Sequence, residues 1–180
     1  MLVMIGASAS GKTEISKLIF KNHNFKKMIT YTTRPMRIGE INGVDYHFIT
    51  KEEFIEKNKN NEFLETTLYN DNYYGTAFKD AAFDKILIVD PYGANKLVEK
   101  MPNQVCLFLL QASKEVRSNR MKARGDNPED IRRRLDGDDL YFDIKNIKHI
   151  DFIIDTNGHS LDTLAEMIYQ LYISKSDKNA

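Results

Sequence analysis

One cysteine in 180 residues, Cys106, excludes an intrachain disulfide framework, and its place in the apolar run 105–110 suits a small buried hydrophobe. Charge of one sign is equally lacking. The 26 Lys+Arg residues cancel 26 Asp+Glu, so no global field draws nucleic acid or a membrane surface, and any anionic ligand must be gathered by a local cluster. The 4 histidines, His23, His47, His149 and His159, lie without metal-ligand spacing. No apolar run approaches the roughly 18 residues that span a bilayer, and no basic segment precedes the first apolar run. Internal repeats and low-complexity tracts are absent. What is present is ordinary for a globular chain: 42% hydrophobic, 11% aromatic and 29% charged residues. At roughly 150 residues per domain the length predicts one domain with a small insertion. The expectation is a cytoplasmic protein, monomer or homodimer, with no nucleic-acid and no membrane partner.

Four short apolar runs, Leu2–Ile5, Ile86–Val89, Val105–Leu110 and Phe152–Ile154, are each followed by helical spacing, at Lys12–Phe20, Gly93–Met101, Lys114–Arg124 and Ser160–Ile173. Continuous rather than alternating runs predict strands buried on both faces, and their alternation with helices predicts an α/β fold with a parallel sheet core flanked by helices. In the last helix Leu161, Leu164, Ile168 and Leu171 recur at three- and four-residue steps with Ser160 as N-cap. Residues 32–83 break the pattern. Gly39, Gly43 and Gly75 punctuate a stretch rich in Tyr, Thr, Asn and Phe, which predicts an inserted antiparallel β lobe with one short helix at Lys51–Asn58. The core is then residues 1–31 and 84–180. A second polar segment, Gly125–Asp139, surrounds the triplet Arg132-Arg133-Arg134, and the tail Ser174–Ala180 is expected to fray.

Gly6-Ala7-Ser8-Ala9-Ser10-Gly11-Lys12-Thr13 matches G-x-x-x-x-G-K-[ST], after a predicted strand and before a predicted helix. Its glycines let the backbone wrap a phosphate chain so that several N–H groups and a helix N-terminus face one anion. Lys12 is expected to reach the β- and γ-phosphates of ATP, and the Thr13 hydroxyl to coordinate Mg²⁺. Asp90, at the end of the second apolar run, is the expected partner acid. It holds the metal or orients a basic group, unless it merely caps the helix that follows.

The inserted stretch reads Thr32-Thr33-Arg34-Pro35-Met36-Arg37-Ile38-Gly39-Glu40, then Asn42-Gly43-Val44-Asp45-Tyr46-His47-Phe48, with Asn61-Glu62-Phe63-Leu64-Glu65 and Asn72-Tyr73-Tyr74-Gly75-Thr76 beyond it. In this order these segments closely resemble the signature of guanylate kinases, and with the phosphate loop the resemblance covers nearly the whole chain. It implies that residues 32–83 form a GMP-binding lobe. Arg34 and Arg37, beside a stiffening proline, present two guanidinium forks to one dianionic phosphate, and Tyr46 and Tyr74 add hydroxyl donors. A carboxylate at Glu65 accepts from guanine N1 and N2 and repels the N1 lone pair of adenine. Thr30 and Thr76 align with small hydroxyl residues that contact the base in the family, and Asp90 joins the same group.

Between residues 114 and 134 eight basic residues face four acidic ones, the local cluster that the balanced composition demands. The resemblance places a helical lid at about residues 120–139, with Arg120 and Arg124 before its glycine as ATP-binding residues and Arg134 returning on the next helix. Lys12, Arg37, Arg124 and Arg134 are then the expected catalytic residues, stabilising charge on the migrating phosphoryl group. Arg117, Lys122 and Arg132 read instead as a solvated face. The chain departs from the family at Ile88, where an acid is common, at Pro91-Tyr92, and at Asp155, where Asn often marks the adenine pocket. The lid is one residue shorter, which leaves Arg133 as an alternative to Arg134. The expected reaction is Mg·ATP plus GMP to ADP plus GDP, with dGMP also accepted. The alternatives are a kinase for another or modified nucleoside monophosphate, and a catalytically silent module that binds phosphopeptide through the GMP lobe. A substrate panel separates the first, and the intact Lys12 and Thr13 argue against the second.

Overall fold

A computed structural model describes residues 1–69 and 71–177. Strand β1 (Leu2–Ile5) lies at the centre of a parallel sheet whose other members are β2 (Lys26–Lys27), β7 (Lys85–Ile88), β8 (Cys106–Gln111) and β9 (Phe152–Asp155), in the order β2-β7-β1-β8-β9. The register sets Val3 between Leu87 and Leu107. Because side chains alternate across a strand, Leu2 and Met4 join one face and Val3 and Ile5 the other, and all four are fully buried. On the first face Ile15 and Ile19 of α1 (Lys12–Asn22) pack with Leu164, Ile168 and Tyr172 of α6 (Leu161–Asp177). On the second, Ala94 and Leu97 of α3 (Pro91–Lys100) pack with Met28, Leu64 and Ile147. A parallel sheet covered on both faces accounts for the unbroken apolar runs.

The inserted lobe is a second sheet of β3 (Tyr31–Thr32), β4 (His47–Phe48), β5 (Phe63–Tyr69) and β6 (Asn72–Ala77), ordered β4-β3-β6-β5, with α2 (Lys51–Lys59) against it. Its own small core is aromatic, formed by Tyr31, Phe54 and Phe63 with Ala77. The expected all-antiparallel lobe is corrected here: β3 pairs β6 antiparallel but β4 parallel. The loop between β3 and β4 is long enough to bring the chain back to the starting end, so the two strands run in one direction. Helix α2 has a full capping box, with Thr50 and Glu53 exchanging side-chain and backbone hydrogen bonds.

The polar segments show one agreement and one difference. Residues 128–141 form helix α5 (Pro128–Tyr141), after α4 (Lys114–Ala123), so Arg134 lies on the next helix as expected. Pro128 starts this helix because it occupies the first turn, where no N–H is needed, with Asn127 capping and Glu129 and Asp130 in the first turn. The tail does not fray from residue 174, since α6 continues to Asp177 with Tyr172 anchored in the core; residues 178–180 lie outside the described residues.

Candidate active site

The loop after β1 leads straight into α1, as the motif requires. Gly6 has φ 148, and a Cβ there would drive into the carbonyl oxygen of Leu110 on β8, so only glycine admits this approach of loop to sheet. Lys12 folds back over the loop: its ammonium donates to the carbonyls of Gly6 (2.5 Å) and Ala7 (2.9 Å) and to the Ser10 hydroxyl (3.3 Å). Burial lowers its pKa to about 8, against the opposing pull of the Asp138 charge. Thr13 is exposed on the first turn of α1. Arg120 ties the loop to the turn after β9, donating from Nη1 to the Ala9 carbonyl (3.1 Å) and the Thr156 hydroxyl (3.1 Å), and from Nη2 to the Thr156 carbonyl (2.8 Å).

In the lobe, Glu65 on β5 faces Thr76 on β6 across the ladder, and the buried Thr76 hydroxyl donates to Glu65 Oε1 at 2.5 Å. Burial raises the Glu65 pKa; the Thr76 hydrogen bond opposes this, and the nearby Asp90 charge adds to it. Thr30, expected beside them, makes no hydrogen bond to Glu65; its backbone carbonyl accepts from the His47 N–H (2.8 Å). Arg34, Tyr46 and Tyr74 do come together: the guanidinium lies 5.5 Å from the Tyr46 ring centre, and the Tyr46 and Tyr74 rings are 6.1 Å apart. The fork of Arg34 is engaged by Glu40, with Nη2–Oε1 at 2.7 Å and Nη1–Oε2 at 3.0 Å, and the Arg37 N–H also donates to Glu40 (2.7 Å). The Arg37 guanidinium is exposed, makes no hydrogen bond or close ion pair among the described residues, and acts through its charge on Glu40 and Tyr46.

Asp90 is both helix cap and bridge. Its Oδ1 accepts from the Gly93 N–H (2.7 Å) at the start of α3, and its Oδ2 accepts from the Tyr141 hydroxyl (2.8 Å) on α5. Where α4 and α5 meet, in the segment expected as the lid, Arg124 and Arg134 share one carboxylate: Arg124 Nε donates to Asp126 Oδ1 at 2.8 Å and Arg134 Nη1 to Asp126 Oδ2 at 3.1 Å. Arg133 points elsewhere, to Asp130 (2.6 Å). Geometry therefore pairs Arg134, not Arg133, with Arg124. The solvated reading of Arg117 is corrected, because this arginine is 1% exposed and ion-pairs with Asp138 and Asp139 of α5.

A family model for guanylate kinase matches residues 1–171. The chain belongs to the guanylate kinase family. It is 40% identical over 143 residues to a guanylate kinase of Neisseria gonorrhoeae, covering 75% of this chain and 70% of that one. It is 37% identical over 186 residues to one of Clostridioides difficile, covering 99% and 89%. The crystal structure of a guanylate kinase from Anaplasma phagocytophilum shares the fold, with TM-score 0.68 at 23% identity over 98% of this chain and 85% of that one. A gluconokinase from Sinorhizobium meliloti shares it more loosely, at TM-score 0.53 and 15% identity over 98% and 93%.

Within this guanylate kinase frame, sequence reasoning missed the acids that hold the arginines: Glu40 under Arg34, Asp126 between Arg124 and Arg134, and Asp138 against the phosphate loop. No local signal marks them, since each pairs with a residue set beside it by a turn or by tertiary contact. Arg117 did leave a trace: four residues before the buried Met121, it lies on the same inward stripe of α4.

Proposed function

We infer that this guanylate kinase transfers the γ-phosphoryl group of ATP to GMP, giving ADP and GDP, and that it accepts dGMP as well. The observation that carries the reading is the pairing, in one molecule, of a complete phosphate loop with a carboxylate sunk in the lobe. Glu65, held by Thr76, presents acceptor capacity to a base edge bearing two donors, and guanine has such an edge whereas adenine does not. Arg37, with its exposed guanidinium, and Arg34, aligned by Glu40 over Tyr46, receive the acceptor phosphate. One of its oxygens attacks the γ-phosphorus in line; the new P–O bond forms as the bond to the β–γ bridging oxygen breaks, and ADP leaves. Lys12, Arg124 and Arg134 stabilise charge on the migrating group, and Arg120 steadies the loop that carries the donor. No enzyme-bound intermediate is needed.

The hard oxygen donors here suit Mg²⁺ held chiefly by nucleotide phosphates and water. The exposed Thr13 hydroxyl, with no protein partner among the described residues, would hold the ion directly. Asp90, both of whose oxygens accept hydrogen bonds, would hold it through water. When bound, Mg²⁺ neutralises charge on the donor phosphates. No helix among the described residues is long and apolar enough to cross a membrane, and we place the enzyme with its nucleotides in the cytoplasm.

The test is ADP release from Mg·ATP with GMP, dGMP, AMP, UMP and dTMP as acceptors, with Glu65→Gln run in parallel. Turnover confined to guanine nucleotides and lost in the variant is expected. Turnover with a different acceptor would refute the substrate assignment while leaving a nucleotide kinase.

A further inference from the structure

The phosphate loop of this chain already holds an anion of its own. Asp138, on α5 and 130 residues along the chain, places Oδ2 at 2.5 Å from the backbone nitrogen of Ser8, which donates to it. That amide belongs to the loop whose N–H groups cradle phosphate. Behind the carboxylate stands Arg117 of α4, whose side chain is 2% exposed. Its Nη2 is bonded to Asp139, its Nη1 lies 3.8 Å from Asp138 Oδ2, and its Nε and Nη1 donate to nothing. A guanidinium enclosed in protein with two of its three nitrogens donating to nothing is incompletely coordinated. Beside it opens a cavity of about 490 Å³ lined by Ala7, Arg117, Asp138, Phe142 and Asp155 among others. Across the same loop Lys12 feels both groups, Asp138 stabilising its charge and Arg117 opposing it.

These positions describe one seat with an undersized occupant. An atom at Asp138 Oδ2 is within hydrogen-bond reach of the Ser8 N–H but falls short of Arg117. A phosphate carries more oxygens, spread more widely, and in that seat it can accept from both. We propose that Asp138 is the loop's internal stand-in for a donor phosphate, and that Arg117 is a donor-phosphate-binding residue which serves the two anions in turn. Donor entry is then an exchange: the Asp138 carboxylate leaves the Ser8 N–H, a phosphate takes its place, and the unmet N–H groups of Arg117 close on the newcomer. Arg117 thereby joins Lys12 as a cation of the donor site, although it lies on the lid side and outside the loop motif. The inference rests on the reading of the loop as the donor site.

Equilibrium titration of the full chain with Mg·ATP, without GMP, tests it in wild type, Asp138→Asn, Arg117→Met and the double variant. Removing the competing carboxylate should tighten Mg·ATP by about tenfold or more. Arg117→Met should weaken it by about tenfold, and in the double variant the gain from Asp138→Asn should vanish. If Arg117 only holds Asp138 over the loop, Arg117→Met will instead tighten binding, as Asp138→Asn does, and the proposed role for Arg117 fails. An unchanged affinity in Asp138→Asn would show that the carboxylate does not occupy the donor's seat. Arg117→Lys, which keeps the charge, guards against misfolding: it should lose less affinity than Arg117→Met, and equal losses would also overturn the proposal. A wild-type chain that binds GMP but no Mg·ATP would overturn the donor-site reading itself.

Discussion

Burial brings Lys12 to a pKa of about 8 from the usual 10.5, so the ligand-free loop holds its lysine near deprotonation. In this range the unfolded chain binds more protons than the folded one, and this group therefore adds stability as pH rises from about 8 towards 10.5. Donor phosphates reverse the balance by favouring the ammonium. Mg·ATP binding at about pH 8.5 should accordingly take up a fraction of a proton, visible as a dependence of binding heat on the buffer's ionisation heat. Lys12→Met should abolish that dependence. Glu65 is shifted the opposite way: burial favours its neutral form, yet the contact proposed for it with guanine needs the carboxylate. As pH falls, KM for GMP should therefore begin to climb above 4.5, the ordinary value for this group. Glu65→Gln should lower kcat/KM for GMP by roughly 10²–10⁴, the loss of charge-assisted hydrogen bonds to the base, and should flatten this acid limb in the pH profile.

Helix ends place most of the chemistry. The N-terminus of α1 completes the phosphate loop, and α4 and α5 meet at a turn where Asp126 gathers two arginines that lie far apart along the helices. Arg134→Ala should cut the single-turnover rate by about 10³ or more, whereas Arg133→Ala should leave it within about twofold. Equal losses would return Arg133 to consideration. Asp90 serves α3 as its N-cap while Pro91 fills the first turn. Asp90→Ala should cost about 1 kcal/mol, a fall in Tm of about 2–4 °C by calorimetry, and Asp90→Asn, which keeps an acceptor, should cost less. Gly75 on β6 faces the aromatic packing of the lobe, where a Cβ would stand 3.0 Å from the Phe63 ring and 3.1 Å from that of Phe54.

The described residues form two sheets, one followed by the phosphate loop and one carrying Glu65; the lobe has a small aromatic core of its own, and Leu64 of β5 also packs into the core beside α3. Transfer requires the two nucleotides to meet, and on the proposed assignment of lobe and lid both are expected to close over the core, which would also keep water from the γ-phosphate. Dyes on Lys59→Cys and Arg133→Cys should move closer in energy-transfer measurements when ATP and GMP are both present, and less with either alone. A distance indifferent to both ligands would rule out closure. The native Cys106 will not interfere, being buried with its thiol pushed up to about 12.

The sequence by itself determined the sheet core, the phosphate loop and the inserted lobe. These depend on local pattern: apolar runs mark buried strands, glycine and lysine spacing marks a phosphate cradle, and an ordered set of Arg, Tyr and Glu marks the lobe. The parallel pairing of β3 with β4 was not legible, because strand direction follows from where a loop returns and not from which residues alternate. Arg117 looked solvated in a helix where charges prevail, and only the packing of α5 on α4 enclosed it. The meeting of Arg134, rather than Arg133, with Arg124 on Asp126, and the presence of Asp138 at Ser8, likewise belong to tertiary structure. Each depends on a distance between segments remote in sequence, and composition and periodicity carry no information about such distances.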